Sequence, residues 1–156
     1  MIATLGEKVA TERALKAKGN ANRGKALFTS QACIACHTTA DGQTPKGPHL
    51  VDIGKRYKPH EILQSILNPS AVITQGFDTY SFVMKDNKVH VGFVTLESAD
   101  TISVRTAVGV AVNLPAKEIK KREKLPISSM PPSLVAGLTP KQLADLAAYL
   151  QSLKSK

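Results

Sequence analysis

Hydrophobic and polar positions follow two rhythms along the chain. Residues 3–18 set Leu5, Val9, Ala10, Ala14 and Leu15 among charged neighbours at helical spacing, which predicts a modest amphipathic helix. Gly19-Asn20-Ala21-Asn22 interrupts it, and Asn22 is the expected N-cap of a second helix from Arg23 to about Gln31. A Gly/Pro-bearing loop follows, Asp41-Gly42-Gln43-Thr44-Pro45-Lys46-Gly47-Pro48. Pro59 suits the first position of the next helix, with Ile62, Leu63, Ile66 and Leu67 as its apolar face, and Asn68-Pro69 should stop it.

From Phe77 the rhythm changes to partial alternation of β-branched and aromatic residues. Phe77 to Lys85, Val89 to Leu96, Thr101 to Ala107 and Val110 to Leu114 predict short strands, with turns at Asp86-Asn87-Lys88, Glu97-Ser98-Ala99-Asp100 and around Gly109. Strands so closely spaced predict an antiparallel meander, ended by Pro115. Residues 117–124 then carry five basic against two acidic side chains and read as a solvated surface. Helical spacing returns in Leu143, Leu146, Ala147, Leu150 and Leu153. Thr139 is the expected N-cap there, Pro140 the first helical residue and Gln142 the capping-box partner, with Lys154 and Lys156 near the negative end of the dipole.

Composition bounds this picture without changing it. A chain of 156 residues, 42% hydrophobic and 21% charged, suits one globular domain. We expect a single domain over 1–156, with an N-terminal helical extension over 1–19 and a β-rich insertion over 76–116. No apolar run approaches the ~18 residues that cross a bilayer, and the first residues lack the apolar stretch of a secretion signal, so an exported protein would carry this chain as its mature form. The net charge of +9 favours acidic partners. The Lys and Arg residues are spread along the chain without a recognisable nucleic-acid motif, so no nucleic-acid partner is expected. Large flat side chains are scarce (four Phe, three Tyr, no Trp), which is compatible with a cofactor filling part of the interior.

The specific chemistry lies in one pentapeptide, Cys33-Ile34-Ala35-Cys36-His37. Cys-x-x-Cys-His is the attachment signal of c-type haem. Two thiols three positions apart can reach adjacent vinyl groups of one porphyrin and add across them as thioethers, and the next residue then offers its imidazole to the iron. Three other readings stay open at this point. A disulfide across so small a loop stabilises little, a redox dithiol expects a βαβ context, and zinc needs four ligands with only His49, His60 and His90 left to help.

Gly24-x-x-Leu27-Phe28 ahead of this signal, Gly47-Pro48-x-Leu50, a Met-Pro pair and a C-terminal amphipathic helix resemble class I cytochrome c. The resemblance covers most of residues 20–68 and 126–154. The β-rich stretch running into Ser128-Ser129-Met130-Pro131 is similar to haem-binding domains common in planctomycetes and verrucomicrobia, often found at the end of larger proteins. The resemblance implies a mainly α cytochrome c fold carrying a small inserted antiparallel sheet. It also implies that Gly24 and Phe28 on one helix meet Leu146 and Tyr149 on another. The Pro48 carbonyl would accept the Nδ1–H of His37, and Leu50 would line the cofactor. Met130, held in a loop by neighbouring prolines, would be the second iron ligand beside His37. Five positions separate Phe28 from Cys33, where four is common in the family. Met1 is terminal and Met84 lies on a predicted strand, an ordinary place for a packing residue. His49 reads as a surface or supporting residue; His60 and His90 read as structural.

Together these features imply one covalently attached haem c, His/Met ligation, and a one-electron carrier without a reaction of its own. It would dock on redox partners with acidic faces and work in the periplasm, where c-type haem is attached. Two alternatives remain: an electron-accepting haem module of a larger dehydrogenase, and a peroxidase or gas sensor with a displaceable Met130.

Overall fold

The two rhythms separate into two compact units, one formed by Met1–Ala71 with the chain from Pro132 onward, the other by Val72–Pro131. A computed structural model describes residues 1–44 and 46–154. Pro45 of the Gly/Pro loop and Lys156 beyond the last helix lie outside the described residues.

The first unit is helical. A 3-10 turn at Ile2–Thr4 precedes helix α1, Glu7–Lys16, which is shorter than the sequence suggested because Gly6 and Ala17 are both extended. Helix α2 spans Ala21–Ser30 and is capped by Asn20, not Asn22: the Asn20 side-chain oxygen accepts the Arg23 N–H at 3.0 Å. A short helix α3, Ile53–Arg56, leads into α4, Pro59–Leu67, where Pro59 occupies the first position and Glu61 accepts the Lys58 N–H at 2.7 Å. Helix α5, Pro140–Ser152, starts with the expected capping box, Thr139 and Gln142 accepting each other's backbone N–H at 3.2 and 2.9 Å.

Helix α5 is the centre of this unit. Leu143, Leu146, Ala147 and Leu150 are buried against Ala10, Ala14, Phe28, Ile62, Leu63 and Ile66 from α1, α2 and α4. Gly24 of α2 sits so close to α5 that a Cβ there would collide with the Asp145 carbonyl and lie 2.7 Å from the Tyr149 Cβ. Phe28 meets Tyr149 edge to face, ring centroids 5.5 Å apart. The expected helix pairing is therefore present, with Asp145 rather than Leu146 opposite the glycine.

The second unit is an antiparallel sheet of strands β1, Thr79–Met84; β2, Val89–Glu97; β3, Thr101–Arg105; β4, Ala111–Pro115; and β5, Ile119–Leu125. The first four form the predicted meander, with Asn87 and Gly109 supplying positive φ at two of its turns. The sheet does not end at Pro115. Residues 119–125, all but the last read from sequence as part of a solvated basic stretch over 117–124, pair with β1 and give the order β4-β3-β2-β1-β5.

This order forces the sheet to curl. Its outer strands β4 and β5 are consecutive, joined only by the 3-10 turn Ala116–Glu118. In a flat sheet they would lie about 19 Å apart at the usual strand spacing. The four Cα steps from Pro115 to Ile119 reach at most about 15 Å. The strands accordingly wrap a small core of Phe82, Met84, Ile102, Val104 and Leu114, helped by register shifts at Val83/Met84 and Val94/Leu96. Arg122 covers this core, its guanidinium 4.2 Å from the Tyr80 ring centre and paired with both Glu97 carboxylate oxygens at 3.0 and 3.1 Å. Met84 is thus a core residue of the sheet.

Candidate functional site

Helix α2 delivers the chemistry at its C-terminus. Beyond the cap residue Gln31 the chain passes through Ala32, which adopts the left-handed conformation at φ 58°, within the longer-than-usual connection from Phe28 to Cys33. Cys33–Ala35 form one 3-10 turn, and the Cys33 carbonyl accepts the N–H groups of Cys36 at 3.2 Å and His37 at 2.9 Å. This turn holds both cysteines and the histidine on one short, hydrogen-bonded stretch. Cys33 and Cys36 are half-buried and not joined to each other, and Cys33 packs against the helical core. Ile34 between them is about half exposed, at 48%.

A second strand of chain braces the first. The His37 Nδ1 lies 2.7 Å from the Pro48 carbonyl oxygen. A carbonyl can only accept, so Nδ1 carries the proton and Nε2 keeps the lone pair that a metal can take. One residue on, the Thr38 hydroxyl bonds the His49 Nδ1, and the Thr38 carbonyl accepts the Leu50 N–H at 2.8 Å. Arg56 of α3 reaches back to the His49 carbonyl at 3.3 Å. Leu50, like Cys33, packs against the helical core. The structure therefore brings Cys33, Cys36, His37, Pro48 and Leu50 together. Met130 is carried by the second unit, two residues before the chain rejoins the first, with its N–H donated to the Ser128 Oγ at 3.1 Å.

Electrostatics separate the readings of the cysteines. Burial pushes the Cys33 thiol up, the opposite of what a reactive redox thiolate needs. Burial also lowers the His37 imidazole, against the opposing pull of its bond to Pro48, and favours the neutral ring that ligates iron. Among the described residues no three His, Cys, Asp or Glu side chains converge as metal ligands, so a zinc cluster lacks its donors. Two thiols outside any disulfide, followed by an oriented imidazole, fit a covalently anchored haem.

His60 is exposed at the start of α4, and His90 is half-buried on β2. The bond between Thr38 and His49 was not foreseen; its only sequence signal is that each residue follows a partner of the His37–Pro48 contact. Asp145 was also missed. This buried carboxylate on α5 takes the Asn20 N–H at 2.7 Å, Arg23 Nε at 2.8 Å and Lys141 Nζ at 2.6 Å. It fastens the start of α2, whose far end bears the cysteines.

Residues 21–104 match the family described as Cytochrome c, and with more than half of its length inside that match the chain belongs to the cytochrome c family. It is a haem-binding electron-transfer protein whose mainly α fold carries an added antiparallel sheet. The match opens at the first residue of α2, takes in the cysteines, His37 and Pro48, and ends in β3, so Met130 lies outside it. No curated protein matches the chain.

Proposed function

We propose that this protein is a monohaem c-type cytochrome that carries single electrons between partner proteins. Cys33 and Cys36 would hold the haem as thioethers, and His37 Nε2 and the Met130 thioether would ligate the iron. The observation that carries the reading is the His37–Pro48 contact, one residue after the Cys-x-x-Cys turn: the ring is already turned, with the correct nitrogen free. Bound haem iron supplies a one-electron couple. The polypeptide fixes the imidazole through the Pro48 carbonyl, and through Met130 it would close the position that dioxygen or peroxide needs. A neutral sulfur ligand favours the reduced ion more than a second imidazole does, so a positive potential is expected. Burial of Met84 in the sheet and exposure of the terminal Met1 support Met130 as the thioether donor.

In this reading residues 1–156 act as one haem-binding domain, with 1–19 as an extension and the β-rich segment as an insertion of the kind found in planctomycete and verrucomicrobial proteins. Attachment chemistry would place it in the periplasm, and acidic faces on redox partners would meet its +9 charge. The test is an optical spectrum and an intact mass of the matured protein, wild type and Met130→Ala. Wild type should carry one covalent haem and ignore carbon monoxide when reduced, while the variant should bind it. A colourless protein overturns the haem assignment. A variant that keeps the wild-type spectrum and refuses the gas overturns the role of Met130.

A further inference from the structure

The sheet has one feature that haem binding does not use. Strand β5 is an edge, hydrogen-bonded to β1 on one side only, so every second residue turns its N–H and C=O outward. Residues 120–124 are all exposed, although the Arg122 guanidinium lies over the Tyr80 and Phe82 rings. Lys121, Arg122 and Lys124 are paired with Glu123, Glu97 and Asp78, whereas Lys117 and Lys120 form no ion pair among the described residues. The opposite edge, Ala111–Pro115, carries no charged side chain.

We propose that β5 is a docking edge for an extended acidic segment of a partner protein, which adds to the sheet as a further strand next to it. Backbone groups of β5 supply the hydrogen bonds and Lys117 and Lys120 supply the charge preference. Lysines on an edge also keep copies of the same strand apart, since two β5 edges would bring like charges together. Here one set of charges does both: it rejects self-pairing and selects an acidic strand. The proposal concerns the sheet unit alone and stands whether or not Met130 ligates iron.

The test uses the haem-loaded protein and a ten-residue peptide alternating Glu and Thr, followed by amide hydrogen exchange and titration. Binding should slow exchange at β5 amides, and Lys117→Glu with Lys120→Glu should weaken it at least fivefold. Weakening with rising salt is expected as well. A Lys/Thr peptide should not bind, and a version with Pro at alternate positions, which lacks the donors of a strand, should lose most of the affinity. The proposal fails if the acidic peptide does not bind, if protection falls elsewhere, or if the Pro-containing peptide binds as well as the parent. The haem spectrum, recorded in the same samples, reports on the cofactor reading separately.

Discussion

Gly24 and Asp145 face each other across the α2–α5 contact with no room for a side chain between them: a Cβ on Gly24 would run into the Asp145 carbonyl. The helix that leads into the cysteines is therefore seated directly on the backbone of the central helix. Gly24→Ala should push the two apart and cost about 1–3 kcal/mol, the usual range for overpacking. Gly6→Ala is the control, because a Cβ there meets nothing within 4 Å. Thermal unfolding of the two variants checks this; equal midpoints would show that the close approach is not required.

The same pair of helices is tied by charge. Burial alone would raise the Asp145 carboxyl, but hydrogen bonds from Arg23, Lys141 and the Asn20 N–H outweigh it and hold the group down at about 2. A carboxylate depressed on folding stabilises the native state at pH values above its unfolded pKa, near 3.9, and that contribution is lost as pH falls towards 2. Wild type should lose stability between about pH 4 and 2. Asp145→Asn should be about 1–3 kcal/mol less stable at neutral pH, from lost charge-assisted bonds, and lose less of its remaining stability over that acid range. Chemical denaturation at pH 7, 4 and 2.5 separates the two; parallel pH profiles would remove Asp145 from the acid response.

What could be read from the sequence follows from where each signal was local. The capping box at Thr139 and Gln142, Pro59 at its helix start and the alternating strands all depend on near neighbours, and each is found in place. The His37–Pro48 contact was legible only through the family resemblance, since nothing local brings residues eleven apart together. Strand β5 was missed because charged residues occupy both its faces, Arg122 covering the core with a guanidinium in place of an apolar side chain, which erases the alternation that marks a half-buried strand. Asp145 was missed because an acid at an inward helical position reads as a break in the apolar face unless its partners on α2 are known.

The cap of α2 shows the same limit and gives a direct test. Asn20 and Asn22 are equal candidates by local chemistry, and tertiary contact decides between them: the Asn20 N–H is held by Asp145 while its side chain accepts from Arg23. Asn20→Ala should cost about 1 kcal/mol and Asn22→Ala only a few tenths. Helical circular dichroism through a denaturant titration reads both. A larger loss at Asn22 would return the cap to the position that the sequence first suggested.

The loop that carries Met130 has its own anchor in the sheet unit. Thr79, at the start of β1, is 1% exposed, and its hydroxyl lies 2.7 Å from the Ser129 Oγ. Two buried or half-buried hydroxyls that lose their contact leave one unsatisfied, so Thr79→Val should cost about 1 kcal/mol while keeping the side-chain shape. The greater consequence is local. Ser129 is adjacent to the proposed ligand, and without the bond residues 128–130 should exchange their amides faster. In the haem-loaded protein, added imidazole should displace the proposed Met130 ligand at a severalfold lower concentration than in wild type. Thr79→Ser restores the hydroxyl and should restore both readouts, which a simple packing defect would not do. If imidazole titrates Thr79→Val and wild type alike, then this hydrogen bond does not govern how firmly the Met130 loop is held.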